Sequence, residues 1–195
     1  MRKPLVCLLL ACIIAYAAWA GAWGVALDSL IPAAVATCAI GDDSTAGEYS
    51  ALLTAGNDAD RYYVGQYNWQ NASARCICKV SLTLTKQGSI TGKTYVARIW
   101  SQSGSNLGTQ QGASTGVTGS DAWSSTLVDF EFASCINLSA STNYAITLDN
   151  SATDGTNYVS ITAVANTITG TSGWWGSDKA IVNDSGSDLS MKIWW

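Results

Sequence analysis

The chain has 195 residues, and loss of an expected leader of about 20 would leave a length that suits one β-sandwich rather than two domains. Only 12% of the residues are charged, and 14 acidic against 10 basic side chains give a net charge of −4, with no basic patch to invite nucleic acid. There is no histidine, which excludes the usual catalytic triads, imidazole general bases and histidine-ligated zinc, so the expectation is a protein that is not an enzyme.

Residues 1–4 give a short positive start, residues 5–17 an apolar run, and Ala18, Trp19 and Ala20 a small-residue cleavage site before Gly21. A signal peptide over 1–20 is predicted, and with it a secreted or cell-surface protein. Losing Arg2 and Lys3 would take the net charge from −4 to about −6. Two alternatives stand beside cleavage. Leu9-Leu10-Ala11-Cys12 approximates a lipobox that would acylate Cys12, and the apolar character continues to Leu27, long enough for an uncleaved membrane anchor.

Residues 21–60 read as an irregular entry segment, with a short helix after Ser29 as its cap and Pro32 in its first turn. The alternating runs then predict strands over 48–54, 61–69, 76–85, 94–101, 126–132, 143–149, 157–163 and 188–195. About eight antiparallel strands suit an all-β jelly-roll sandwich over 61–195. In the third run Cys76, Cys78, Val80, Leu82 and Leu84 fall on one face, with Lys79, Ser81, Thr83 and Thr85 on the other. Residues 101–122 are almost all Ser, Gly, Thr, Gln or Asn and read as a long surface excursion.

Export removes Cys7 and Cys12 and leaves Cys38, Cys76, Cys78 and Cys135, an even number in an oxidising compartment, so two disulfides are expected. Cys76 and Cys78 would each reach a different neighbouring segment, one toward Cys38 and one toward Cys135, and the three connectivities stay open.

Several segments carry a resemblance: Tyr63-Val64-Gly65-Gln66-Tyr67-Asn68-Trp69, Ile77-Cys78-Lys79-Val80-Ser81-Leu82-Thr83-Leu84, Val96-Ala97-Arg98-Ile99-Trp100-Ser101, Val128-Asp129-Phe130-Glu131-Phe132 and Ile136 to Leu148, closed by Asp188 to Ile193. Their order resembles the carbohydrate-binding-module-like jelly-roll domains of bacterial exported and surface proteins, the choice-of-anchor type, also seen in phage and other virion appendages. The resemblance covers about residues 61–195 and implies a fold far more than an activity, since such domains are scaffolds with varied uses.

Nine tryptophans is a high number, and sugar-binding sandwiches stack pyranose rings on exposed Trp or Tyr. Trp174 and Trp175 sit in a Gly-flanked loop; with Trp100, Trp123, Asp178 and Asn106 they form the candidate ligand-binding set. The bland reading of these rings is that they cap the open ends of the sandwich, and that reading is preferred. Asp121, Asp149, Asp154 and Asp178 lie in or beside turns, where a structural Ca²⁺ would find carboxylates, but no dense acidic loop occurs and a solvated turn role is the expectation. Asp129 and Glu131 share a strand face about 7 Å apart and read as a polar stripe rather than a hydrolytic pair. No cofactor or other metal site is expected. Asn71, Asn137 and Asn183 head N-glycosylation sequons.

The expected function is an exported, non-catalytic surface module that binds glycan or another cell-surface polymer or serves structurally, touching membrane only through its N-terminal segment. The alternative is a subunit of an extracellular filament or virion appendage that assembles through sheet edges and the N-terminal segment.

Overall fold

The computed structural model describes residues 38–45, 49–54, 62–149, 156–165, 168, 170–176, 178–184 and 186–195. The leader, the helix expected after Ser29 and Asp154 lie outside these residues. Fourteen strands run through them: β1 (Ile40–Asp43), β2 (Tyr49–Thr54), β3 (Tyr63–Gln70), β4 (Arg75–Gln87), β5 (Thr94–Ser103), β6 (Asn106–Ala113) and β7 (Val117–Thr118). After them come β8 (Thr126–Leu138), β9 (Asn143–Asp149), β10 (Tyr158–Val164), β11 (Thr171–Trp175), β12 (Ile181–Asp184), β13 (Asp188–Leu189) and β14 (Met191–Trp194). They form two antiparallel sheets packed as a β-sandwich.

The spine of the first sheet is β4. Strand β8 follows one of its edges, while β14 and β10 lie end to end along the other, and these are flanked in turn by β1 and β2. The two halves of that edge meet at Ser190, whose N–H donates to the Thr162 carbonyl (2.8 Å) and whose carbonyl accepts from the Thr83 N–H (3.0 Å). This junction breaks the strand expected over 188–195 into β13 and β14. The second sheet runs β12-β11-β3-β9-β5-β6, with β7 also on β5.

Alternation supplies the core between the sheets. Val80, Leu82, Leu84, Phe130, Val159, Ile161, Met191 and Ile193 from the first sheet meet Val64, Ala97, Ile99, Ile146 and Leu148 from the second, all at most 1% exposed. Each such burial is worth about 1.5–3 kcal/mol of transfer free energy. A fully buried polar tie crosses this apolar layer. Gln66 on β3 donates through Nε2 to Asp188 Oδ1 (2.6 Å), accepts the Leu189 N–H at Oε1 (2.9 Å), and Asp188 Oδ2 accepts the Ile168 N–H (2.8 Å). Gln66 and Asp188 are both fully buried, so these bonds replace the water each group gives up.

Two bulges reset the alternation. In β3 the ladder to β9 slips between Gln66 and Trp69, where Asn68 takes a left-handed backbone (φ 54°), and the slip turns Trp69 into the core after Val64 and Gln66. In β4, Ile77 pairs with Ile136 and Lys79 with Glu131, so residues 132–135 bulge out opposite Cys78 alone. That bulge overturns the expected phase of the strand: Ile77, not Cys76 or Cys78, faces the core together with Val80, Leu82 and Leu84. Both cysteines lie half-buried on the opposite side, where the chain bonds them as Cys38–Cys78 and Cys76–Cys135.

Other expectations need correction. β2 is the strand expected over 48–54, but β1 is a strand the entry segment was not expected to hold, and both belong to the first sheet. The polar excursion over 101–122 contains β6 and β7, both paired to β5, with Leu107 buried. Its hairpin closes at Ser103 and Asn106 around Gly104 (φ 62°) and Ser105, and lacks the apolar alternation that betrays a strand with a buried face. The Gly-flanked stretch around Trp174 is strand β11, paired to β3 on one side and β12 on the other.

Candidate functional site

Four of the six nominated binding residues do gather in one place, on the outer face of the second sheet. Trp100 on β5 and Trp175 on β11 join Tyr63 and Tyr67 of β3 and Leu107 in a second apolar cluster. The rings meet edge to face, Tyr63 with Trp100 at 5.3 Å and Tyr67 with Trp175 at 5.8 Å between centroids. The β5–β6 hairpin and the β11–β12 turn close over them. Trp175 Nε1–H donates to the Ser105 carbonyl (2.8 Å), Asn106 Oδ1 accepts the Ile181 N–H (3.1 Å), Asp178 Oδ1 accepts the Ala180 N–H (3.0 Å), and the Leu107 N–H donates to the Lys179 carbonyl (3.0 Å). The Lys179 ammonium stands 4.8 Å over the Trp100 ring, and Trp100 Nε1–H donates to Thr147 Oγ1 (2.8 Å).

Trp100 is 3% exposed and Trp175 fully buried, so neither ring face is open for stacking on a sugar. Trp123 lies elsewhere, buried against Tyr95 in the main core. The side chain of Trp174 lies outside the described residues. Asn106 and Asp178 are exposed but engaged in turn geometry. Beside the cluster Arg98 reaches Asp149 Oδ2 through Nε (3.1 Å) and Nη2 (2.7 Å). Burial, and then the Asp149 charge, push the neighbouring Tyr63 hydroxyl above the ordinary tyrosine range.

The remaining nominated residues have local partners. Asp121 accepts from the Ile90 N–H (2.8 Å) and the Ser89 hydroxyl (3.1 Å), so it fastens a turn. Asp129 pairs with Lys79 (2.9 Å) and Ser81 (2.6 Å) on the exposed face of the first sheet, where Glu131 is also exposed. Among the described residues no three acidic or sulfur side chains converge on a point that suits a metal ion. Of the sequon asparagines, Asn137 is exposed on β8, Asn71 is 6% exposed with its Nδ2 buried, and the side chain of Asn183 lies outside the described residues.

A different arrangement sits at the end of the sandwich where the β3–β4 turn meets β1 and the last residues. Arg75, the first residue of β4, holds its guanidinium 4.9 Å over the Trp195 ring. Trp195 is fixed in turn: its N–H and carbonyl pair with Ala39 (2.9 and 3.0 Å), and a Cβ at Gly41 would run into its indole. The carboxylates nearby are taken by other groups. Asp42 Oδ2 accepts the Trp69 Nε1–H (2.7 Å), Asp43 pairs with Lys192 (3.0 Å), and Arg75 forms no ion pair among the described residues. Arg75 Nε and Asn71 Nδ2 are buried donors with no acceptor among the described residues. Unfilled buried donors are uncommon and costly, and here two of them lie close together; Thr162 Oγ1 on β10 is a further unfilled group elsewhere.

Arg75 lines two depressions. One, of about 460 Å³, is bordered by Asp42, Gln70, Asn71, Ile168 and Trp195, and the other, of about 390 Å³, by Ala74, Cys76, Asn137, Leu138 and Ser139. Nothing in the sequence pointed here. Arg75 and Trp195 stand at opposite ends of the sandwich sequence and meet only because β14 runs beside β4. The one available signal was an arginine in a Ser/Ala turn with no acid among its sequence neighbours. No protein-family model matches the chain, and no curated protein matches it by sequence.

Proposed function

We propose that the protein is an exported, non-catalytic surface module that binds saccharide at the Arg75 end of the sandwich. The observation that carries this reading is the guanidinium of Arg75, held over the Trp195 ring between two depressions and without a carboxylate partner among the described residues. Asp42 and Arg75, planar polar side chains on the wall of the larger depression, suit the hydroxyls of a sugar, one as acceptor and the other as donor. The two disulfides support folding in an oxidising compartment, and the apolar start of the chain supports export.

An array of immobilised oligosaccharides tests the reading. The wild-type protein is expected to be retained on a subset of the array, and Arg75→Ala to lose that retention while keeping its thermal midpoint. A blank array, or retention unchanged in Arg75→Ala, would overturn it.

A second reading, a subunit that assembles through its sheet edges, is favoured by one observation. The large apolar side chains most exposed among the described residues, Ile40 at 48% and Leu127 at 41%, lie on β1 and β8, which border opposite sides of the same sheet. Light scattering across a concentration series that gives only monomer mass removes it.

A further inference from the structure

We infer that the saccharide recognised at this end is acidic, a hexuronate whose carboxylate lies against Arg75 on the side of Asn137 and Ser139. The inference rests on the saccharide reading above and adds the class of sugar. Guanidinium is a planar fork that matches a carboxylate through two parallel hydrogen bonds, and its pairing is strongest where it is held in place and partly dehydrated. Arg75 meets both conditions. It is half-buried, its guanidinium stands over the Trp195 ring, and its buried Nε lacks an acceptor among the described residues. Arg98, by contrast, already has its carboxylate in Asp149, and Lys79 and Lys192 have theirs in Asp129 and Asp43. Among these cations of the described sandwich, Arg75 is the one whose counter-charge the fold does not supply.

Asp42 decides which side of Arg75 receives the anion. Its carboxylate borders the 460 Å³ depression and would repel a second negative charge there, whereas it suits hydroxyl donors. The 390 Å³ depression has no acidic side chain among its described lining residues, and Asn137, exposed on β8, adds an amide donor. The geometry therefore divides the ligand. The carboxylate sits on the Asn137 side, and the neutral hydroxyl-bearing part extends toward Asn71 and Asp42.

The test is isothermal titration of the whole chain with glucuronate oligosaccharides, with glucose oligosaccharides of equal length, and with inorganic sulfate. Glucuronate is expected to bind at least about tenfold more tightly than glucose, the margin of one charge-assisted hydrogen bond. Arg75→Gln should abolish that margin, and raised salt should shrink it by screening. Arg75→Lys, which keeps the charge but not the fork, should recover only part, and it serves as the second variant if Arg75→Gln does not fold. Equal, Arg75-dependent binding of both sugars would overturn the acidic assignment and leave the saccharide reading standing. Sulfate binding as tightly as glucuronate would overturn it in favour of a bare anion site. Absence of binding by either sugar would remove both readings.

Discussion

Replacement of Gln66 by leucine should cost this sandwich more than most core substitutions of similar size. The leucine fits a core position, but it removes the donor to Asp188 Oδ1 (2.6 Å) and the acceptor for the Leu189 N–H (2.9 Å), both fully buried. Loss of a hydrogen bond to a charged group costs about 1.5–3 kcal/mol, and an orphaned buried N–H about 1–3 kcal/mol more. Against these stands about 1 kcal/mol gained from the added apolar surface. The net is about 1.5–5 kcal/mol, which for a domain of this size lowers Tm by roughly 2–4 °C per kcal/mol. Urea unfolding followed by tryptophan fluorescence, with calorimetry alongside, measures both. Gln66→Glu gives the sharper control, because it buries a new carboxyl beside another acid, and burial and the neighbouring acid both raise the pKa of that introduced group. A carboxyl whose folded pKa is raised contributes stability below its unfolded value near pH 4, and that contribution is lost as pH rises through the folded pKa. Gln66→Glu should thus approach wild type near pH 4 and fall progressively below it toward pH 8. A Gln66→Leu variant within 0.5 kcal/mol of wild type, or a pH-independent Gln66→Glu penalty, would refute the account of Asp188 as a buried group held by Gln66.

Other outcomes follow from the same structure. Serine pairs replacing Cys38–Cys78 or Cys76–Cys135, whose loops span 40 and 59 residues, should each lose about 4 kcal/mol on the loop-entropy estimate, read from denaturation midpoints against the oxidised protein. Trp100→Ala should destabilise by about 3–5 kcal/mol, whereas Asp178→Ala, on an exposed turn, should stay within about 1 kcal/mol, which separates a packed ring from a surface group in one melting series. The hydroxyl of Thr45 leads the groups that hold Asp43 below the usual carboxylate range; at Asp129 burial raises the carboxyl, but Ser81 and Lys79 outweigh it. Depressed carboxylates contribute stability above their unfolded pKa and lose it as pH falls through the folded one, so stability should drop below about pH 4, and Asp129→Asn should flatten that drop in an acid titration.

The strands that alternate strictly were legible in the sequence. The runs at 94–101, 143–149 and 157–163 match β5, β9 and β10 closely, because each has one face on the core and the pleat writes that face at every second residue. Legibility failed where the pleat is interrupted or where no face is buried. The bulge at Cys78 inverted the expected orientation of both cysteines, since one strand's sequence holds no record of how many residues its partner sets opposite. Strand β6 forms the edge of its sheet and buries Leu107 while leaving most of its length at the surface, so its composition reads as loop. Of the candidate binding residues, Trp100, Trp175, Asn106 and Asp178 lie near one another, whereas Trp123 is in the main core and the side chain of Trp174 lies outside the described residues. What spacing could not tell is that the β5–β6 hairpin would fold over the rings. The Arg75 end was missed for a simpler reason: its members come from the start, middle and end of the sandwich, and only the strand order joins them.

The placement of both disulfides at the Cys78 bulge also bears on how the protein meets proteases. The bridged spans 38–78 and 76–135 overlap at residues 76–78, so a single backbone cut anywhere from Cys38 to Cys135 leaves two pieces still covalently joined. The exposed Ser/Gly/Thr turns of that region would be the natural entry points for an extracellular protease. A nick there adds one water but releases no piece until a reductant is added. Cleavage in this half of the chain would therefore go unnoticed on a non-reducing gel, and a nicked molecule would keep β4, β8 and the Arg75 end tethered as one particle.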